Sequence, residues 1–191
     1  MSITRVNSKT FNAHLYLNGR PVVLNQQRLQ KALGQLRMTK GEQLEAEVGL
    51  ADTRVASFIT LADHEDDEPL LLKFVPQGDN YEISLVHTGA FADARLYIEA
   101  LTHNLLASTS APAQHFSIST YGVPKASLGD FEAGPAHLEL SSEAVNGKSR
   151  SKPLYRHVSG GMDTFVDEDP NLTGHNAFNN KPATFVIKVV R

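Results

Sequence analysis

The residues best suited to chemistry gather toward the end of the chain. Between Ser159 and Pro182 no clear periodicity is visible, and the stretch holds Asp163, Asp167, Glu168, Asp169, Asn171, His175 and Asn176, with His157 just before it. Asp167-x-Asp169-x-Asn171 sets an oxygen-bearing side chain at every second residue, the spacing by which a loop wraps a hard cation such as calcium or magnesium. An EF-hand loop is excluded, because Leu172 stands where glycine is required, Phe178 where the bidentate glutamate belongs, and Pro170 interrupts the turn. His157, Asp163 and His175 would also supply two nitrogens and one oxygen to zinc, leaving an open position for water. No His-x-x-x-His or His-Glu-x-x-His spacing supports that set. The competing reading is a surface loop whose Asp and Asn side chains cap backbone amides, the commoner use of these residues. The candidate binding residues are therefore His157, Asp163, Asp167, Asp169, Asn171 and His175. No catalytic residue is assigned, and no cofactor is expected beyond a calcium or magnesium ion in this loop.

Other chemistries find no template. There is no cysteine, so thiolate catalysis, thiolate metal sites and disulfides are excluded. There is no Gly-x-Ser-x-Gly elbow, and Ser159 before Gly160-Gly161 reads as a turn. Gly129 and Gly134 frame Asp-Phe-Glu-Ala, but Pro135 and Ala136 occupy the places a P-loop gives to lysine and a hydroxyl residue. Lys148, Arg150, Lys152 and Arg156 could grip phosphates, yet Tyr155 is the one aromatic beside them and the net charge is −3, so nucleic acid is not an expected partner. The N-terminus lacks the apolar region of a secretory signal, and no run of about 18 apolar residues exists to cross a bilayer. A soluble, cytoplasmic protein with no membrane contact is expected.

Charge is segregated. Residues 1–41 hold seven basic side chains (Arg5, Lys9, Arg20, Arg28, Lys31, Arg37, Lys40) and no acidic one, whereas residues 42–68 hold nine acids against Arg54. The two segments either neutralise one another inside the fold or present a two-signed surface for a partner or a second copy of the chain.

The elements that must carry these residues read as sheet and helix. Phe11 to Leu17 alternates apolar and polar, Asn18-Gly19 turns it, and Pro21 to Leu24 continues as a hairpin. Asn25 can cap a helix with Leu29, Ala32, Leu33 and Leu36 on one face. Leu44 to Leu50 and Val55 to Leu61 read as strands, Asp63 to Pro69 as an exposed acidic loop, and Leu70–Val75 and Tyr81–Val86 as a strand pair. Phe91, Ala94, Ile98, Leu101 and Leu105 recur at steps of three and four, which predicts a helix over 91–106. Residues 11–37 and 70–106 would then repeat a strand-strand-helix unit. Beyond a connector at 108–114 the strands run Phe116–Tyr121, His137–Ser141, Leu154–Val158 and 183–190. The last is apolar on both faces, so it must be inserted between other strands.

The fold expected is α+β, a largely antiparallel sheet of about nine strands with two amphipathic helices packed on it. Residues 1–191 are read as one domain, with a weak boundary near 108–114 as the alternative. The function expected is a non-enzymatic binding or assembly protein acting through sheet edges and charged loops, its partner another protein or a second copy. A cation-dependent ligand-binding module or metal-dependent hydrolase centred on residues 157–176 is the alternative. If the opposed charges join copies of the chain, light scattering should show association at low ionic strength that salt dissolves; a monomer at every ionic strength would leave intramolecular pairing.

Overall fold

A computed structural model of the chain describes residues 9–143, 151–168 and 181–191. The first part runs β1 (Phe11–Leu17), β2 (Arg20–Leu24), α1 (Asn25–Leu33), α2 (Lys40–Ala51), α3 (Thr53–Ala56), β3 (Ile59–Leu61), β4 (Leu72–Gln77) and β5 (Asn80–Leu85). After it come β6 (Arg95–Ile98), β7 (Leu105–Ser108), β8 (His115–Ser119), β9 (Ala136–Glu143), β10 (Lys152–Pro153), β11 (Tyr155–Ser159), β12 (Met162–Val166) and β13 (Phe185–Val190). Among the described residues this is an antiparallel, β-rich α+β architecture of thirteen strands. The class is the expected one; the strands are more numerous because several short hairpins carry no strong alternation.

The pairings close on themselves. β1 pairs β4, β4 pairs β5, β5 pairs β8, β8 pairs β9, β9 pairs β13, and β13 returns to β1, every step antiparallel. The chain's last strand lies between β1 and β9, inserted as expected, but only its Phe185–Ile187 face is buried; Lys188 and Val190 on the other face are exposed. Side-chain alternation then decides what fills the ring. Phe11, Ala13, Leu15 and Leu17 of β1 point the same way as Phe74, Tyr81, Ile83, Phe116, Ile118, Leu138, Leu140, Phe185 and Ile187, and all join one buried cluster. At one end Phe11 stacks on Phe74 at 4.7 Å between ring centroids and meets Tyr81 and Phe131 edge-on. Burial pushes the Tyr81 hydroxyl up to about 12, although its hydrogen bond to the Leu128 backbone opposes the rise.

Strands outside the ring extend it. Asn18 and Gly19 take φ of 51° and 80°, the positive values that a tight two-residue hairpin demands, and the turn sends β2 away from β1 after the pair Leu17↔Arg20. β2 then pairs β3, β3 pairs β12, and β12 pairs β11. On the other side β6 continues from β5 and pairs β7. Bridges Phe58↔Leu106 and Asn104↔Val166 join the β6–β7 hairpin to this second layer. The connector at 108–114 lies between β7 and β8, which share one sheet.

Three expectations are overturned. Residues 91–106 form a short 3-10 turn, Gly89–Phe91, and the β6–β7 hairpin in register Leu96↔Ala107 and Ile98↔Leu105. The three-four stripe coexists there with a period-two set, Ala94, Leu96 and Ile98, and the unpaired edge of β5 offers hydrogen bonds that only a strand can accept. Positive φ at Asp93 and His103 (57° and 59°) is also incompatible with one continuous helix. With that helix goes the repeated strand-strand-helix unit. Residues 44–50, read as a strand, lie in α2, and the strand read over 55–61 is cut to β3 (Ile59–Leu61), with Val55 and Ala56 in α3. Thr39 Oγ accepts from the Glu42 amide at 3.1 Å while Glu42 accepts from the Thr39 amide at 3.0 Å; this capping box, with the helix-forming Glu, Gln, Leu and Ala that follow, outweighs the alternation of Leu44, Ala46, Val48 and Leu50. Finally, α1 ends at Leu33, so Leu36 is fully exposed and not part of its apolar face.

From the hairpin a prediction follows that reverses the helix reading, under which losing Leu101 would cost about 2–5 kcal/mol. Leu101 sits in the β6–β7 turn and is 94% exposed, so Leu101→Ala should change stability by less than about 0.5 kcal/mol. Phe74→Ala, in the fully buried ring interior, should cost about 3–5 kcal/mol. Urea denaturation of the two variants measures both.

Candidate functional site

Of the six candidate binding residues, Asp169, Asn171 and His175 lie outside the described residues. The other three are on or beside the β11–β12 hairpin, whose register is His157↔Thr164 and Val158↔Asp163. Partners across a ladder share a face, and neighbours along a strand alternate. His157 and Asp163 therefore project to opposite faces, and no ion within reach of one meets the other. Asp163 is instead clamped by two guanidinium groups, its Oδ2 accepting from Arg20 at 2.7 Å and its Oδ1 from the Arg156 Nε at 2.8 Å. Burial pushes its carboxyl up, but Arg20 and Arg156 more than offset this and hold it below the usual value.

Asp167 is built into a different cluster. It is 7% exposed; its Oδ1 accepts from His103 Nδ1 at 2.9 Å and its Oδ2 from the Ser142 hydroxyl at 2.9 Å. The Asp167 amide donates to the His103 carbonyl at 3.1 Å, so side chain and backbone together pin the β6–β7 turn to the end of β12. The His103 Nε2 looks toward Glu168, 3.6 Å away. This is a serine, a histidine and an aspartate in the wrong order for nucleophilic catalysis. A serine nucleophile needs the imidazole between hydroxyl and carboxylate to take its proton; here the carboxylate lies between, and Ser142 is buried. Among the described residues no three His, Asp or Glu side chains converge as a metal site.

Two further carboxylates are held by protein groups. Glu143 accepts from Lys125 at 2.8 Å, from Ser117 at 2.6 Å and from Ser151; burial pushes it up, and these bonds bring it below its usual value. Glu99 takes the Arg54 guanidinium on both oxygens, at 2.9 and 2.6 Å, and Arg54 also lies over the Phe58 ring. Across the charge-segregated segments, Arg28 pairs with Asp63 and Lys31 with Asp67. Part of the opposition between basic and acidic segments is thus spent within the chain.

The exposed surface is different in kind. α2 has a single buried side chain, Ala46. Leu44 and Val48, one turn apart, are 60% and 61% exposed, and Leu36 in the preceding loop is 103% exposed. Glu45 and Glu47 flank the stripe. Sequence reasoning missed this surface by reading a strand, although Thr39-x-x-Glu42 was a helix-start signal. It also missed His103, Ser142 and Arg20 as partners of the two aspartates, since no local pattern links residues so far apart, and Arg156, which meets Asp163 across the β11–β12 hairpin, because residues 159–182 were read without strands. In comparisons with known proteins no family model, no curated protein and no solved structure matches this chain.

Two outcomes are expected from these contacts. Asp167→Asn leaves either His103 or Ser142 without its acceptor and should cost about 1–3 kcal/mol, with melting curves equal in calcium, magnesium, zinc or chelator because both oxygens of Asp167 are already engaged; a cation-dependent melting temperature abolished by this change would restore the metal reading. The second concerns acid. Hydrogen bonds from Arg54 first, then from Thr102, hold Glu99 down from 4.5 to about 2. A carboxylate lowered on folding contributes stability above its unfolded value and loses it as pH falls toward the folded one. Wild type should therefore weaken between pH 4.5 and about 2, and Glu99→Gln should flatten that fall in urea titrations over this range.

Proposed function

We propose that this chain is a non-enzymatic protein-binding module whose docking surface is the solvent face of α2. The observation that carries the reading is a 12-residue helix with one buried side chain and an exposed apolar stripe, Leu44 and Val48. An isolated helix of this length is marginal in water. α2 is held by its capping box and by packing on α1, yet Leu44 and Val48 face outward while Leu50 is half-buried. An amphipathic surface helix ordinarily turns that stripe inward, so the inversion suits a surface completed by a partner. Charge complementarity selects the occupant. Glu45 and Glu47 beside the stripe favour an amphipathic segment with lysine or arginine next to its apolar face. Arg28 and Lys31 are paired within the chain, which disfavours a second copy as the source of those cations.

The test is fluorescence anisotropy with a labelled helical peptide carrying leucine at i, i+3, i+4 and i+7 and lysine on the flanking positions. Saturable binding that weakens with salt and falls at least about tenfold in Leu44→Lys/Val48→Lys supports the reading. Binding unchanged by the double substitution, with the variant folded by circular dichroism, would remove α2 as the docking face.

A further inference from the structure

We propose that a second site, on the outer face of the ring, binds a neutral carbohydrate. A cleft of about 330 Å³ lies between the turn after β8 and the outward faces of β9 and the start of β13, lined by Ser119, Thr120, Tyr121, His137, Glu139 and Thr184. Its position is dictated by the strands. Leu138 and Leu140 fill the ring interior, so His137 and Glu139, one residue out of step, project outward. Ser119 lies directly opposite Glu139 in the β8–β9 register.

Tyr121 is what makes this surface more than a polar groove. Its side chain is 105% exposed, yet it stands on an ordered turn. The Thr120 amide donates to the Val123 carbonyl at 3.0 Å and the Val123 amide to the Thr120 carbonyl at 2.9 Å. Gly122 supplies the φ of 78° that closes the turn. The chain behind it is tied back where the Ala126 amide meets the Ile118 carbonyl at 2.7 Å. The backbone that carries Tyr121 is thus ordered beside the cleft before any ligand arrives, which confines the ordering cost of binding to the side chain itself.

The lining selects the ligand class. Three hydroxyls, from Ser119, Thr120 and Thr184, each donate and accept, as do the hydroxyls of a sugar. The Glu139 carboxylate accepts from neighbouring hydroxyls of one ring, the His137 imidazole adds a donor or acceptor, and the Tyr121 face suits the C–H face of a pyranose. An anion is disfavoured by Glu139, and a purely apolar ligand by the hydroxyl, carboxylate and imidazole groups that share the lining with Leu138. The cleft holds a single carboxylate, whereas glycoside hydrolysis ordinarily uses two on either side of the scissile bond. The site binds sugar without cleaving it.

Saturation-transfer NMR on the full chain, with glucose, galactose, mannose, N-acetylglucosamine and choline as probes, decides the matter. At least one neutral sugar should receive saturation and bind with millimolar affinity. Tyr121→Ala should weaken it about tenfold while Tyr121→Phe stays within about threefold of wild type, because the ring face and not the hydroxyl makes the contact. Glu139→Gln should weaken it about tenfold through the lost charged acceptor. These side chains face solvent, and melting curves of the variants serve as the folding control. No transfer to any sugar at about 50 mM, transfer to choline alone, or sugar binding untouched by Tyr121→Ala would each overturn the proposal.

Discussion

The insertion of β13 between β1 and β9 is the constraint on which this molecule rests. It joins Val186 to Tyr16 on one side and Phe185 to Leu138 on the other, bringing the two ends of the chain into one ladder. Closing so long a loop is entropically costly, although the cost grows only slowly with length. What offsets it is the burial of Phe185 and Ile187 together with the inward residues of five other strands. Without β13, β1 and β9 would each present an open edge, the arrangement most prone to wrong pairing.

Ring closure also explains why the helices look as they do. A flat sheet with one apolar face needs a layer of helix to cover it. A sheet that closes on itself covers its own face, so the segments outside the ring are released from that duty. The 91–106 stretch continues the strand order at the edge of β5, and α2 packs on α1 while exposing Leu44 and Val48. The surfaces proposed for binding both lie outside the ring, one on a helix, the other on outward-facing strand residues.

The carboxylates divide the same way. Asp163, Asp167 and Glu143 are each held by protein donors: two guanidinium groups, an imidazole and a hydroxyl, and an ammonium with two hydroxyls. Buried charge is costly unless paired and hydrogen-bonded, so these residues act as joints between strands distant in sequence. Glu45 and Glu47 on α2 face water, where charge costs little to maintain and remains available to a partner.

The sequence by itself determined the elements whose signal is local. The alternation of Phe11 to Leu17, the Asn18-Gly19 hairpin, the strands around Leu72 and Ile83, and the insertion of the terminal strand between others were all legible from neighbouring residues, although one face of that last strand is exposed and not buried. So was the concentration of acids in β12 and beyond, although not what they do. Only the tertiary structure decided between helix and strand at 91–106, where two periodicities coexist and the open edge of β5 breaks the tie. Only it could set His103 and Ser142 against Asp167, or Arg20 against Asp163, since a side-chain bond across 64 or 143 positions leaves no trace in local spacing. The exposure of Leu44 and Val48 was hidden for the same reason: an apolar residue is buried or displayed according to what packs against it, and here the closed ring had no face left to offer.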